Sequence, residues 1–368
     1  MRIMRGRTPA RQEAAPAPGE EVLRVDRLEV EFGGPARTTA LRGISLTLDA
    51  GRVVGLAGES GCGKTTAALA AMGLLPRGAA VRGSVWYRGT DLIALPEKEL
   101  RRYRGRHLAM IFQETTTALN PVIRVGEQLM TAARTHAPGG KSEARERVIA
   151  ALADVRLTDS ERVMASYPHE LSGGMCQRII IAMALSCGSR VLFADEPTTA
   201  LDVSVQGEIL ELIRGLVTRR QLAVLMISHD LAVLADVCDD LAVMYRGEIV
   251  ESGPAGTVLG SSAHPYTQAL LDCLPTLRGR RDSLPELPVP ADGTGAVAGC
   301  PYRPRCGWAV DACLVPPPLA PVLTGRPRLS RCWRSVTVLE HAARRDSGEP
   351  DGPETGGEPV TSDNMSCG

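Results

Sequence analysis

The apolar run Val53–Ala57 ends on Gly58-Glu59-Ser60-Gly61-Cys62-Gly63-Lys64-Thr65, and residues of helical composition, Thr65–Leu75, follow before Pro76. A strand, a glycine-rich turn and a helix in that order leave few architectures open. Glycines let backbone N–H groups converge on phosphate oxygens, and the following helix adds the positive end of its dipole. The spacing fits GxxxxGK[ST], in which Lys64 neutralises the β- and γ-phosphates and the Thr65 hydroxyl ligates Mg²⁺. The plain alternative is a glycine-rich turn without a ligand, and the flanking strand and helix weigh against it.

A second motif, Val191-Leu192-Phe193-Ala194-Asp195-Glu196-Pro197, delivers two carboxylates to the end of an apolar strand. Ligands gather at that edge in open α/β sheets. Asp195 is suited to hold Mg²⁺ through water, and Glu196 to polarise an attacking water as general base. For an isolated Asp-Glu pair, two surface acids would be the better reading; the phosphate-type loop upstream changes that. Beyond Met175 the pattern predicts helix Met175–Leu185, strand Val191–Ala194, helix Ser204–Arg219, strand Leu222–Ile227, helix Leu231–Val237 and strand Leu241–Tyr245. Apolar strands alternating with amphipathic helices imply a parallel sheet covered on both faces. Val22–Phe32 and Ile44–Leu48 read as further strands, and Glu127–Thr135 and Ser142–Val155 as two helices of an inserted helical part.

The third motif, Leu171-Ser172-Gly173-Gly174-Met175-Cys176-Gln177-Arg178, opens a helix with exposed backbone donors. On these motifs the chain resembles the nucleotide-binding subunits of ATP-binding cassette (ABC) transporters, whose LSGGQ-type signature is their most diagnostic element. Gln113 after an apolar strand, Ala200-Leu201-Asp202 after the carboxylates, and His229 closing the next strand come in the family's order. Phe32 resembles the aromatic that stacks on adenine. The resemblance covers about residues 21–260.

The resemblance implies an α/β P-loop NTPase fold with an N-terminal antiparallel β subdomain and an inserted helical subdomain at about 113–172. It implies ATP and Mg²⁺, with Thr65, Gln113 and Asp195 around the ion. It also implies a head-to-tail dimer with a second ATPase subunit, a paralogue or another copy of this chain. Each ATP would then lie between the Gly58–Thr66 loop of one subunit and Ser172, Gly173, Gly174 and Gln177 of the other. His229 would contact the γ-phosphate and fix the water with Glu196; a capping or buried histidine is the bland alternative. Asp202 would support the dimer contact, or simply cap the next helix. Gln113 would also touch the groove that receives a short helix of a membrane subunit.

Met110-Ile111-Phe112-Gln113, Leu119-Asn120-Pro121 and Val125-Gly126-Glu127-Gln128-Leu129 resemble the oligopeptide and dipeptide branch. Two departures are Glu114-Thr115, where that branch usually has Asp-Pro, and Cys176, where Arg is common. Ala263-His264-Pro265-Tyr266-Thr267, with Leu270, Leu271 and Pro275, resembles the C-terminal extension shared by peptide and nickel importer ATPases. The partners implied are two transmembrane permease subunits and, indirectly, an extracytoplasmic substrate-binding protein. Peptide and nickel or another small solute both stand as cargo. A soluble cassette ATPase acting on ribosomes or DNA is the reading from another class; the single cassette and the importer extension disfavour it.

Composition supplies limits. Lys plus Arg and Asp plus Glu balance at 42 each, and aromatics are 3%, which argues against a nucleic-acid partner. No apolar run approaches the ~18 residues of a membrane span. The N-terminus has a basic start without an apolar core, so it does not read as a secretory signal and a cytosolic location follows; the resemblance implies a peripheral place on the cytoplasmic side of the membrane. Of ten cysteines, Cys62, Cys176, Cys187, Cys238 and Cys273 sit in apolar or glycine-rich segments as small hydrophobes, and Cys367 lies near the end. Cys300, Cys306, Cys313 and Cys332 cluster with spacing Cys-x5-Cys-x6-Cys-x18-Cys, and clustered thiols in a reducing compartment point to metal. Four thiolates suit Zn²⁺ or a [4Fe–4S] cluster. Close Cys-x2–4-Cys pairs, usual for zinc, are missing. In the resembled extension such a segment binds iron–sulfur, while unligated structural cysteines stay open. Trp308 and Trp333 either shield such a group or are ordinary core. The expected organisation is an N-terminal arm (1–20) without fixed structure, a nucleotide-binding domain (21–263), a Cys- and Pro-rich module (264–335) and a structureless tail (336–368).

Overall fold

A computed structural model describes residues 16–34, 37–113, 118–199, 201–273, 298–322 and 327–347. The expectations for the rest of the N-terminal arm, Glu114-Thr115, Ala200, Pro275, Cys367 and the tail beyond 347 lie outside these residues.

Strands β1 (Glu21–Phe32) and β2 (Thr38–Asp49) pair antiparallel. β3 (Val53–Ala57) then leaves for a second sheet and runs through the glycine loop into α1 (Lys64–Ala71). β4 (Ala79–Tyr87) and β5 (Thr90–Asp91) return to complete the first sheet, in the order β2-β1-β4-β5. A single turn, α2 (Glu97–Leu100), leads to β6 (Leu108–Ile111). Among the described residues the helices α3 (Val125–His136), α4 (Lys141–Asp154), α5 (Ser160–Ala165) and α6 (Gly173–Cys187) follow. The α/β alternation resumes with β7 (Val191–Asp195), α7 (Val203–Arg220), β8 (Ala223–Ile227), α8 (Leu231–Val237) and β9 (Asp240–Tyr245). Last come β10 (Glu248–Pro254), α9 (Ala255–Gly260), α10 (Pro265–Asp272), the two-residue strands β11 (Ala320–Pro321) and β12 (Leu329–Ser330), and α11 (Ser335–Ser347).

The second sheet has the order β11-β12-β10-β9-β3-β8-β7-β6, and β9, β3, β8, β7 and β6 are mutually parallel. Period-two alternation divides its side chains between two cores. Val53, Ala57, Leu192, Ala194, Val224 and Met226 face the helical side with α6 and α7. Val54, Leu56, Phe193, Leu225, Ile227 and Met244 face the core shared with the antiparallel sheet, against Leu28, Leu41 and Leu48. Both faces are therefore apolar, which is why these strands carry unbroken hydrophobic runs. Because the strands are parallel, their C-terminal ends open on one edge. Gly58, Gln113 and His229 follow strands that end there, and Asp195 is the last residue of another.

The C-terminal segment joins the sheet. β12 pairs with β10 through Glu251↔Ser330 and Ser252↔Leu329, so the late module extends the sheet's edge. Its foundation is Glu251, fully buried, whose carboxylate accepts from the Ala263 N–H at 2.7 Å and the His264 N–H at 3.2 Å. Arg328, buried beside it at 3.8 Å, supplies the counter-charge. Burial pushes the Glu251 carboxyl up to about 7, against the pull of those donors and Arg328. His264 is buried and neutral, lowered to about 3 by desolvation, and its Nδ1 accepts from the Tyr266 N–H at the start of α10.

The structureless tail expected from 336 needs correction. Helix α11 runs over Ser335–Ser347, and Val338 and Leu339 are buried. Two adjacent apolar residues facing a neighbouring surface order a stretch whose composition alone is too polar to fold. The structure also adds β4, β5 and β10, which the apolar pattern left unassigned.

Removing a charge partner inside a protein costs about 3–5 kcal/mol because the remaining ion stays buried. Glu251→Ala should therefore loosen the module's base. Amide exchange at Ala263 and His264 should accelerate by about 100-fold or more; unchanged protection would show that Glu251 holds nothing.

Candidate functional site

The loop after β3 is wrapped around a lysine. Lys64, only 6% exposed, donates from Nζ to Gly58 O at 2.8 Å and to Glu59 O at 2.9 Å. The turn needs glycine at two points. Gly58 has φ 148°, and a Cβ there would lie 2.2 Å from Met244 O; Gly63 has φ 110°, with Ala40 O at 2.7 Å from the same imagined atom. L-residues are strained at such angles, and these neighbours are backbone, which cannot step aside. Ser60 and Gly61 form the exposed crest of the loop, and Thr65 and Thr66 lie in the first turn of α1. Cys62 is buried beneath it, its thiol raised chiefly by burial and 3.8 Å from Lys64 Nζ.

Across the edge, Asp195 ends β7, buried, with the Thr65 hydroxyl near enough to favour its charged form. Burial raises this carboxyl above its ordinary value, and the neighbouring Glu196 charge pushes the same way. A buried carboxylate and a hydroxyl side by side form an all-oxygen donor pair, the chemistry a hard divalent cation takes.

Glu196 stands where the strand turns. Its φ is +47°, left-handed for a residue with a side chain, and its N–H is held by Ile227 O at 2.9 Å. Strain of this kind costs about 1–3 kcal/mol and persists only where neighbours fix it. Oε1 lies 2.7 Å from His229 Nδ1. Oε2 accepts from Gln113 Nε2 and from Thr199 Oγ1, each at 2.9 Å. Burial raises this carboxyl, yet the bonds from His229 and Thr199 and the nearby positive charge outweigh it, leaving Glu196 below its usual value. An ionised carboxylate next to an imidazole can accept a proton from a bound water. Gln113, Glu196 and His229, far apart in the chain, are thus brought together. Thr199 is an addition; its only sequence signal is a hydroxyl three residues after Glu196.

The Ser172–Gly174 segment starts α6. Ser172 Oγ accepts from the Met175 N–H at 3.3 Å, and Ser172 and Gly173 are exposed. Among the described residues no hydrogen bond joins this segment to the Gly58–Thr65 loop. Gln177 corrects the expectation that it reaches a nucleotide: it is fully buried in α6, one turn inside the helix, and cannot face another chain's ligand. Asp202 sits at the N-cap position of α7, exposed, and its carboxylate makes no capping hydrogen bond. Phe32 ends β1, partly buried against the core shared by the two sheets.

Glu59 also departs from expectation. Its carboxylate is turned away from the loop's mouth into a two-pronged pair with Arg305, at 2.7 and 3.0 Å. Its N–H donates to Tyr266 Oη at 2.9 Å. Glu59 therefore faces the C-terminal module and offers neither group to a phosphate. The sequence carries no signal for a pairing across so many residues.

In that module Cys300, Cys306, Cys313 and Cys332 line one small cavity, together with Trp308, Trp333 and His264. Both tryptophans thus border the thiols, though Trp333 remains 46% exposed. Burial raises the Cys300 thiol and pushes Cys306 up to about 12 and Cys332 to about 11, and the charges of the neighbouring cysteines add to this. Among the described residues, no three His, Cys, Asp or Glu side chains form a group set to hold a single metal ion. Among them also, no helix is long and apolar enough to cross a membrane.

Comparison with known proteins places this geometry. Residues 41–199 match the ABC transporter family, and residues 250–313 match the oligopeptide/dipeptide transporter C-terminal region. The oligopeptide transport ATP-binding protein OppD of Salmonella typhimurium is 42% identical over 327 residues, covering 88% of this chain and 97% of that protein. The dipeptide transport ATP-binding protein DppD of Escherichia coli is 41% identical over 332 residues, covering 89% of this chain and 99% of that one. Among solved structures, a dimeric post-hydrolysis state of the ATP-binding cassette MJ0796 with ADP and Pi superposes with a TM-score of 0.56 at 25% identity, over 63% of this chain and 98% of the cassette. The chain belongs to the ATP-binding subunits of ABC transporters, within the family of oligopeptide and dipeptide transport ATP-binding proteins.

Proposed function

We propose that this chain hydrolyses ATP to drive peptide import through separate membrane-spanning permeases, bound to them on the cytoplasmic side. One observation carries the reading: a phosphate-type loop, two strand-end carboxylates and His229 occupy one sheet edge in a chain whose C-terminal region matches that of oligopeptide and dipeptide transporters. Two relatives named for peptide transport support peptide over nickel as cargo.

In this reading Lys64 exchanges its two carbonyl partners for phosphate oxygens, and backbone N–H groups of Gly61, Cys62, Gly63, Thr65 and Thr66 complete the cradle. Phe32 supports the adenine. Thr65, Asp195 and Gln113 would hold Mg²⁺, which supplies charge neutralisation on the phosphates when bound. Glu196, ionised and oriented by His229, takes the proton of the attacking water. Ser172, Gly173 and Gly174 of a second subunit close over the nucleotide, and Asp202 stands at the seam. The exposed N-terminus of α6 and the uncapped Asp202 carboxylate support that arrangement.

The cysteine cavity fits a metal cluster on chemical grounds. Burial holds the Cys300, Cys306 and Cys332 thiols above their ordinary value, whereas a bound cation deprotonates a ligating thiol outright. We assign Cys300, Cys306, Cys313 and Cys332 to a [4Fe–4S] cluster. When present, such a cluster cross-links the module and can exchange an electron.

Three outcomes test the assignment. Losing a charged hydrogen-bond partner costs about 1.5–3 kcal/mol, so Lys64→Ala should weaken MgATP binding by about 10–100-fold in equilibrium titration. Glu196→Gln should bind MgATP normally and lose about 100-fold or more of turnover in the assembled transporter, collecting as a closed dimer. Anaerobically purified protein should be brown with broad absorption near ~400 nm, and Cys306→Ser should remove the colour. Unchanged binding, unchanged turnover or a colourless, iron-free and active anaerobic preparation would each strike out the corresponding role.

A further inference from the structure

The phosphate loop of this chain is gripped from the C-terminal module. Arg305 has 5% of its side chain exposed and reaches both carboxylate oxygens of Glu59, the second residue of the loop. Its guanidinium lies over the rings of Tyr245, at 5.6 Å, and Tyr302, at 5.7 Å. Planar stacking plus a two-pronged carboxylate contact uses the geometry that distinguishes Arg from Lys. Tyr266, from the same module, accepts the Glu59 N–H. Glu59 O in turn accepts from Lys64, so the chain of contacts runs Arg305, Glu59, Lys64.

The turn that carries Arg305 is framed by two of the clustered thiols. The Arg303 N–H donates to Cys300 O at 3.0 Å, the Cys306 N–H to Arg303 O at 3.2 Å, and Arg305 directly precedes Cys306. Whatever joins or oxidises those sulfurs acts on the backbone that aims the guanidinium.

We propose that Arg305 is a positioning residue for the phosphate loop, and that the four-cysteine site acts through it to set nucleotide affinity. The inference rests on the ATP-binding reading of the loop. The buried guanidinium fixes Glu59 outward, which keeps a carboxylate away from the phosphates and holds the loop's backbone in one shape. When the turn between Cys300 and Cys306 shifts, Glu59 is released and the loop slackens.

The full chain is titrated with MgATP in competition with a fluorescent ATP analogue, alongside circular dichroism and thermal melting to establish folding. Arg305→Met should raise Kd about tenfold, and Arg305→Lys should recover part of the loss. In the assembled transporter KM should rise with Kd while kcat changes much less, a split that general destabilisation does not produce. Glu59→Gln should weaken binding in the same direction, and the double variant should be no worse than Arg305→Met alone, because the two residues act as one contact. Cys306→Ser should also raise Kd, without adding to Arg305→Met. If Arg305→Met folds and binds as wild type, or additivity holds for the Glu59 pair, the positioning role is overturned; if Arg305→Met fails to fold, Glu59→Gln decides alone. An unchanged Kd in Cys306→Ser overturns the link to the thiols. Failure of the wild type itself to bind MgATP, or indifference to Lys64→Ala, would instead sink the ATP reading.

Discussion

A buried ammonium without a carboxylate partner is the condition around which this protein is arranged. Lys64 is nearly enclosed, and among the described residues no acidic group lies within ion-pair distance of it. Burying a charge is expensive unless dipoles or an ion repay it. Two backbone carbonyls do so in part, which requires the chain to fold back over the side chain, and that in turn requires Gly58 and Gly63 at angles other residues resist. The loop's shape, the placement of α1 and the close packing of Met244 and Ala40 against the glycines all follow. What remains is a positive centre at a sheet edge, suited to an anion.

The parallel sheet supplies the rest by geometry alone. Strands that share a direction release their C-terminal ends together, so residues after β3, β6, β7 and β8 meet although the chain separates them widely. The same sheet accepts the late module at its other edge through β12 on β10. The module is thereby joined to the body by backbone pairing, by the buried Glu251 and by the Arg305–Glu59 contact.

How much of this was readable in advance depends on range. The turn at Gly58–Thr65, the strand end at Asp195-Glu196 and the helix start at Ser172–Gly174 were readable because each is set by a few neighbouring residues with fixed backbone demands. His229 needed a family resemblance to be paired with Glu196, and the Gln113 contact to the same carboxylate was not expected at all, since nothing local to either predicts it. The Glu59–Arg305 contact was invisible: it spans 246 positions, and a charge at either end looks like ordinary surface. Gln177 misled because adjacency to a motif says nothing about which way a helix turns it. Helix α11 is not legible locally because, among its described side chains, Val338 and Leu339 are the buried ones, and that contact belongs to the fold, not the local pattern.

The carboxylate of Glu196 has a final implication. One oxygen is occupied by an imidazole, the other by an amide and a hydroxyl. Three partners leave about one of the carboxylate's four acceptor sites open, so its direction is fixed while a further donor can still reach it. A displacement of any one of these three companions would therefore re-aim the carboxylate.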